Sequence, residues 1–221
     1  LVQETRFYAN IASAGGGGSF IDSQAAPTYN QCRFDENEAP IGAGAYMGQK
    51  TEASFINTAF EDNASSTHGA GAYCFDEYSL FDGCEFFTNT ASSGGGGGIC
   101  AVMSEAEIMG SVFIENAATH GGALSIETNS DVLVENCTIA ANSVDATMSG
   151  GGLFVYDNAN VEIDNSIIAF NTTGEGLFCS LYSTATLTCT CVWDNDGGDW
   201  VSCIELQQTL DGNMYLNPLF C

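Results

Sequence analysis

His68 and His120 each occur in a Thr-His-Gly triplet, and paired imidazoles are the raw material of metal sites and of acid-base chemistry. Asp194, Asp196 and Asp199, followed by Asp211 and Asn213, collect oxygen ligands of the kind Ca2+ takes. Their spacing is not that of an EF-hand, so the expectation is no cofactor, with Ca2+ as the one candidate. Asp76-Glu77 and Glu105 with Glu107 are the other acidic pairs, read as solvated edges. Glycoside hydrolysis needs two carboxylates at a suitable separation, but among 28 acidic side chains some pair meets that distance by accident. Elimination chemistry on a uronate polymer needs a base and cations, and the chain offers only Arg6, Arg33 and Lys50. The P-loop, the dinucleotide fingerprint and the nucleophile elbow are missing from the sequence. No catalytic residue is assigned, and catalysis is not expected.

The same imbalance decides partners. With a formal charge of -25, the surface lacks the Lys and Arg that displace counterions from nucleic acid or hold anionic lipid. Nucleic acid and membrane insertion are therefore excluded as partners. Ten cysteines without a CxxC pair read as disulfides in an oxidising setting, extracellular or at the cell surface. Sequons at Asn63, Asn136 and Asn171 are candidate glycosylation sites.

What would position these residues is a repeat. A large apolar residue followed three positions later by Asn occurs as Phe7/Asn10, Phe34/Asn37, Phe60/Asn63 and Phe86/Asn89. It continues as Phe113/Asn116, Ile139/Asn142, Ile168/Asn171 and Val192/Asn195. Successive Asn residues are 27, 26, 26, 27, 26, 29 and 24 apart, the signature of a solenoid. After each Asn comes a small-residue loop and then a corner glycine: Gly18, Gly44, Gly71, Gly97, Gly122, Gly152, Gly176 and, in degraded form, Gly198. The run Gly15 to Gly18 is thus one corner of a coil, where positive φ or close approach excludes a Cβ, and not a linker. Eight residues before the Asn stand Tyr29, Phe55, Phe81, Ile108, Val134, Ile163 and Leu187. Six before it stand Gln31, Asn57, Gly83, Gly110, Asn136, Asn165 and Cys189, mostly types that tolerate a left-handed turn.

Three short alternating segments per repeat, with no helical stripe, predict an all-β fold. The spacing is too small for helical crossovers, so the chain is expected to wind as a right-handed parallel β-helix. About eight coils of three short strands would form one domain over 1–221, starting and ending mid-coil. At ~4.8 Å per rung, Phe and Ile would stack inside and Asn at a corner, while His68 and His120 would fall two rungs apart as recurring loop residues. Cys74 and Cys100, each three residues after its corner glycine, are expected to bridge. Cys32, Cys84 and Cys137 recur only in every second coil and are read as stacked core or turn residues. Cys179, Cys189, Cys191, Cys203 and Cys221 crowd the end, where at least one bridge of unassigned pairing is expected.

The paired signals, clearest at Phe113/Asn116 with Gly121-Gly-Ala-Leu124, resemble the repeats of polymorphic outer-membrane proteins and related bacterial surface β-helices. The tail from Cys189 to Cys221 resembles the end of secreted right-handed β-helix proteins. The resemblance spans essentially the whole chain and implies fold rather than activity, because this scaffold carries lyases, hydrolases, adhesins and fibre subunits. Neither a capping helix nor a charged capping loop is read at either end, so the open edges would pair. The expectation is a non-catalytic, extracellular structural or adhesive protein. Its partners would be copies of itself stacked head to tail as a filament, or surface glycans or proteins. The alternative is a carbohydrate-binding or glycoside-cleaving β-helix using a groove on one sheet face.

Overall fold

The computed structural model describes residues 1–145 and 149–219; Cys221 lies outside them. The chain winds as a parallel β-solenoid whose coils stack in register. Each full coil passes through four ladders in turn. Sheet 1 has eight strands, among them Glu52–Ile56, Tyr78–Asp82, Glu105–Met109, Asp131–Glu135, Asn160–Asp164 and Thr184–Thr188. Sheet 2 also has eight, from Arg6–Tyr8 to Cys191–Trp193. Sheet 3 is a five-rung ladder of two-residue strands from Glu38–Ala39 to Ser143–Val144, where a plain loop was expected. Sheet 4 has seven strands, from Ser19–Ile21 to Glu175–Cys179.

The core follows from the repeat. Phe34, Phe60, Phe86, Phe113, Ile139 and Ile168 are successive rungs of sheet 2, and all are fully buried. Phe60 and Phe86 stack face to face with ring centroids 4.7 Å apart. A second stack, Tyr29, Phe55 and Phe81, meets the first edge-on across the interior. Stacked and edge-on contacts both suit the ring quadrupole, and each buried ring removes ~1.5–3 kcal/mol of apolar surface from water.

The corner between sheets 2 and 3 is held by the asparagines Asn37, Asn63, Asn89, Asn116, Asn142 and Asn171, all buried. Asn116 Oδ1 accepts from the backbone N–H and the Nδ2 of Asn89, at 3.1 and 2.9 Å. Asn116 Nδ2 donates to Asn142 Oδ1 and to Phe86 O. Each amide in the row is satisfied this way, so burial costs nothing in lost hydrogen bonds. At the turn between sheets 1 and 2, Gln31, Asn57, Gly83, Gly110, Asn136, Asn165 and Cys189 all have positive φ.

In sheet 4 two linked expectations fail, and one causes the other. The glycine row of sheet 4 runs Gly44, Gly71, Gly98, Ala123, Gly152, with Ala72 opposite Ile99. The corners thus fall at Gly98 and Ala123, one residue beyond the expected Gly97 and Gly122. The loop after Asn89 carries an extra glycine, which displaces the register. Because a strand's side chains alternate, Cys74 points into the core opposite Ala101, while Cys100 pairs with Tyr73 on the outer face. The expected Cys74–Cys100 bridge is absent, and both thiols are free and buried.

The second correction concerns the end. A 3-10 helix, Ser202–Gln207, closes the last coil and is tied to sheet 4 by a Cys179–Cys203 disulfide. Beyond the helix, Met214 adds a bridge to Cys191 at the edge of sheet 2, so the last full coil is covered by the segment that follows it and is not left bare. Cys189 and Cys191 are free.

Candidate functional site

The outer face of sheet 1 carries a concavity that crosses several coils. Its outward row runs Glu52, Tyr78, Glu105, Asp131, Asn160 and Thr184. Parallel to it run Ser54, Leu80, Glu107, Leu133, Glu162 and Thr186. Strand alternation sends the residues between them inward, so acidic and polar types collect on one face. A cleft of about 320 Å³ lies across Tyr78, Glu105, Glu107, Asp131, Leu133, Asn160 and Glu162. A second hollow of about 330 Å³, lined by Lys50, Glu52, Asp76 and Met103 among others, shares Tyr78 and Glu105 with it. Together they make one groove along the rod axis, crossing five rungs or roughly 19 Å.

Within the groove, Asn160 Nδ2 donates to Asp131 Oδ1 at 2.8 Å, and Thr184 Oγ1 donates to Asn160 Oδ1 at 2.6 Å. Burial, with Glu107 alongside, raises the Tyr78 phenol above its ordinary pKa. The groove therefore offers carboxylate acceptors, one aromatic side and an aliphatic patch at Leu133. Lys50 is the one basic side chain on it. Arg6 and Arg33 are engaged elsewhere, with Asp35 and Glu61 at the first coils. Burial alone would raise the Asp35 carboxyl, but the two guanidiniums hold it below its usual value.

The other sequence candidates are dispersed. His68 lies edge-on to Tyr73, while His120 stacks on Phe154 with centroids 5.0 Å apart. Gly95 of the intervening coil bridges to His120, so a coil separates the two imidazoles. Of the candidate calcium ligands, Asp199 accepts from the backbone of Asp194 and Asn195, and Asp196 accepts from Thr173 N–H. Among the described residues, no three metal-binding side chains converge. Of the sequons, Asn63 and Asn171 are committed to the buried amide row, whereas Asn136 is exposed. Cys32, Cys84 and Cys137 are buried along one row, the Cys84 and Cys137 thiols donating to Phe55 O and Ile108 O.

Two features escaped the sequence reading. Glu105 and Glu107 are part of the groove, which their alternation with Ala106 could have signalled. Glu77, read as a solvated edge, is buried with its carboxylate on Ser79 Oγ at 2.7 Å. Only its place in a row with Thr51, Ser104 and Ser130 would have told.

No curated protein and no solved structure matches the chain. Residues 7–192 match the family model described as a right handed beta helix region. With the coil geometry and the inward ladders, that match assigns the chain to the right-handed β-helix family.

Proposed function

We propose that this protein is a non-catalytic adhesive element of the cell exterior that holds neutral or amino-bearing glycans in the groove of sheet 1. The observation that carries the reading is the Tyr78-flanked, carboxylate-lined groove, which runs along several coils as an extended chain would. Carboxylates accept hydrogen bonds from sugar hydroxyls and ammonium groups, and an aromatic ring covers the apolar face of a sugar. The overall charge of -25 repels polyuronates and sulfated chains. The side chains laid over the last full coil weigh against strand pairing at that edge, which favours the lateral face as the contact surface. The non-catalytic part rests on the acids of the cleft, Glu105, Glu107, Asp131 and Glu162, which line one open sheet face in two adjacent rows; Glu77, at the second hollow, is the one acid set apart, by burial.

Titration calorimetry with chito-oligosaccharides, chitosan oligomers and oligogalacturonates tests this. The neutral and cationic oligomers should bind, the anionic one should not, and Tyr78→Ala should weaken binding about tenfold, the scale of one stacking contact. Binding that ignores the Tyr78 substitution would remove the groove from the reading. Release of reducing ends from a bound oligomer would replace adhesion with glycoside cleavage, the reading that neighbouring carboxylates such as Glu105 and Asp131 would then favour.

A further inference from the structure

The last full coil is covered by three side chains of the segment that follows it, two of them standing where a further coil would place its own amide or strand. Along the asparagine row, each side-chain oxygen accepts from the backbone N–H and Nδ2 of the preceding rung. At the final rung, Asn195, the acceptor is Asp199 Oδ1, at 2.9 Å from N and 2.7 Å from Nδ2. A second interior row works similarly: Cys84 N–H donates to Ser111 Oγ, and Cys137 N–H to Ser166 Oγ, both at 3.0 Å. This row runs on past Thr190, whose N–H donates to Asn213 Oδ1 at 3.0 Å, with Met214 bridging Cys191 as a further rung of sheet 2. On sheet 1, the edge strand Thr184–Thr188 meets a side-chain amide in place of a neighbouring strand. Leu187 N–H donates to Gln207 Oε1 and Gln207 Nε2 donates to Ala185 O, both at 2.8 Å. Asn213 Nδ2 completes the set on Leu187 O at 2.9 Å.

These substitutes are carried by one short segment. Its apolar anchors are Trp200 and Ile204, buried against the end of the core. Its covalent anchor is Cys179–Cys203, and both of those residues are half-buried, within reach of a small thiol. We propose that residues 199–214 form a redox-latched end cap, which reduction of Cys179–Cys203 releases from the rod. A dithiol reductant supplies two electrons and two protons. The S–S bond breaks, Cys179 and Cys203 become thiols, and the reductant closes to its own disulfide. Release uncovers the terminal edges of sheets 1 and 2, and an uncovered edge is a pairing surface. The latch therefore decides whether this end of the rod is closed or open.

Hydrogen exchange read by NMR, with and without dithiothreitol, tests the proposal on the whole chain. After reduction, confirmed by mass, the amides of Leu187, Thr190 and Val192 should exchange at least tenfold faster, while those of Ile108 and Phe113 keep their protection. Unchanged protection at Leu187, Thr190 and Val192 in the reduced protein overturns the latch. Simultaneous loss at Ile108 and Phe113 also overturns it, because the disulfide would then hold the whole rod. In oxidised protein, Gln207→Ala should speed exchange at Leu187 and leave Val192, which donates to Met214 O, unchanged. No change at Leu187 in that variant would show that the amide does not substitute for a strand.

Discussion

Glu77 sits in the row where other coils place Thr51, Ser104 and Ser130, at the turn into sheet 1. A hydroxyl there needs little hydration, whereas a carboxylate does, and Ser79 Oγ is the hydroxyl that faces it, with the Cys74 thiol beyond. Burial raises the Glu77 carboxyl from 4.5 to about 7. The folded state thus binds the proton more tightly than the unfolded chain, and its stability falls as pH rises from about 4.5 to 7. Above that window the ionised group costs about 3 kcal/mol. Glu77→Gln should therefore stabilise the protein by up to that amount at pH 8 and by almost nothing at pH 4, measured by urea denaturation. An equal gain at both pH values would mean that titration is not the cause. The residue before each Asn, including Ala9, Glu36, Thr88 and Phe170, also has positive φ. These types do not favour that conformation, so no sequence signal marks them. The amide row imposes it, and its hydrogen bonds offset a strain of ~1–3 kcal/mol per residue.

The decisive variable among the elements is register. One extra glycine in the run Gly94 to Gly98 moves the strand Ile99–Val102 by one position and turns Cys100 away from Cys74. A period of about 26 residues was legible because the asparagines keep it, but loops absorb insertions between anchors, so position within sheet 4 was not. Gly71 shows how tight those anchors are: a Cβ there would stand 2.5 Å from Gly98 O and 2.9 Å from Phe86 Cδ1. Peptide mapping of the unreduced protein after alkylation should recover Cys179 linked to Cys203, with Cys74 and Cys100 alkylated as free thiols once the chain is unfolded. Recovery of Cys74 linked to Cys100 would require the sheet 4 register to shift by one residue.

The whole rod carries 28 acidic groups against three basic ones, and parallel stacking sets like charges on adjacent rungs, as with Glu105 and Asp131. Such repulsion is screened once the Debye length shrinks to about 10 Å, near 0.1 M salt. Melting temperature should therefore rise by several degrees between low salt and ~0.2 M sodium chloride, followed by circular dichroism. A temperature that falls with salt would show the few ion pairs outweighing the repulsion. The cap belongs to this scale too, because it matters only where the stack stops. Asp199 and Gln207 match no repeat position in sequence, and Asn213 takes the row of Ser166 and Thr190 only at a shortened spacing of 23, which is why none was read as covering the last full coil.

By itself the sequence determined the winding, the inward Phe and Ile ladders, the asparagine corner and the left-handed turn at Asn57 and its equivalents. Each of these is a local preference repeated until it can be satisfied only by its own copy in the next coil. Tertiary structure alone decided which cysteines meet, that Glu77 is buried, that acids from four strands line one groove, and that the last full coil is covered. Those outcomes depend on single-residue register and on contacts between segments with no common pattern, and a periodic signal carries no information about either.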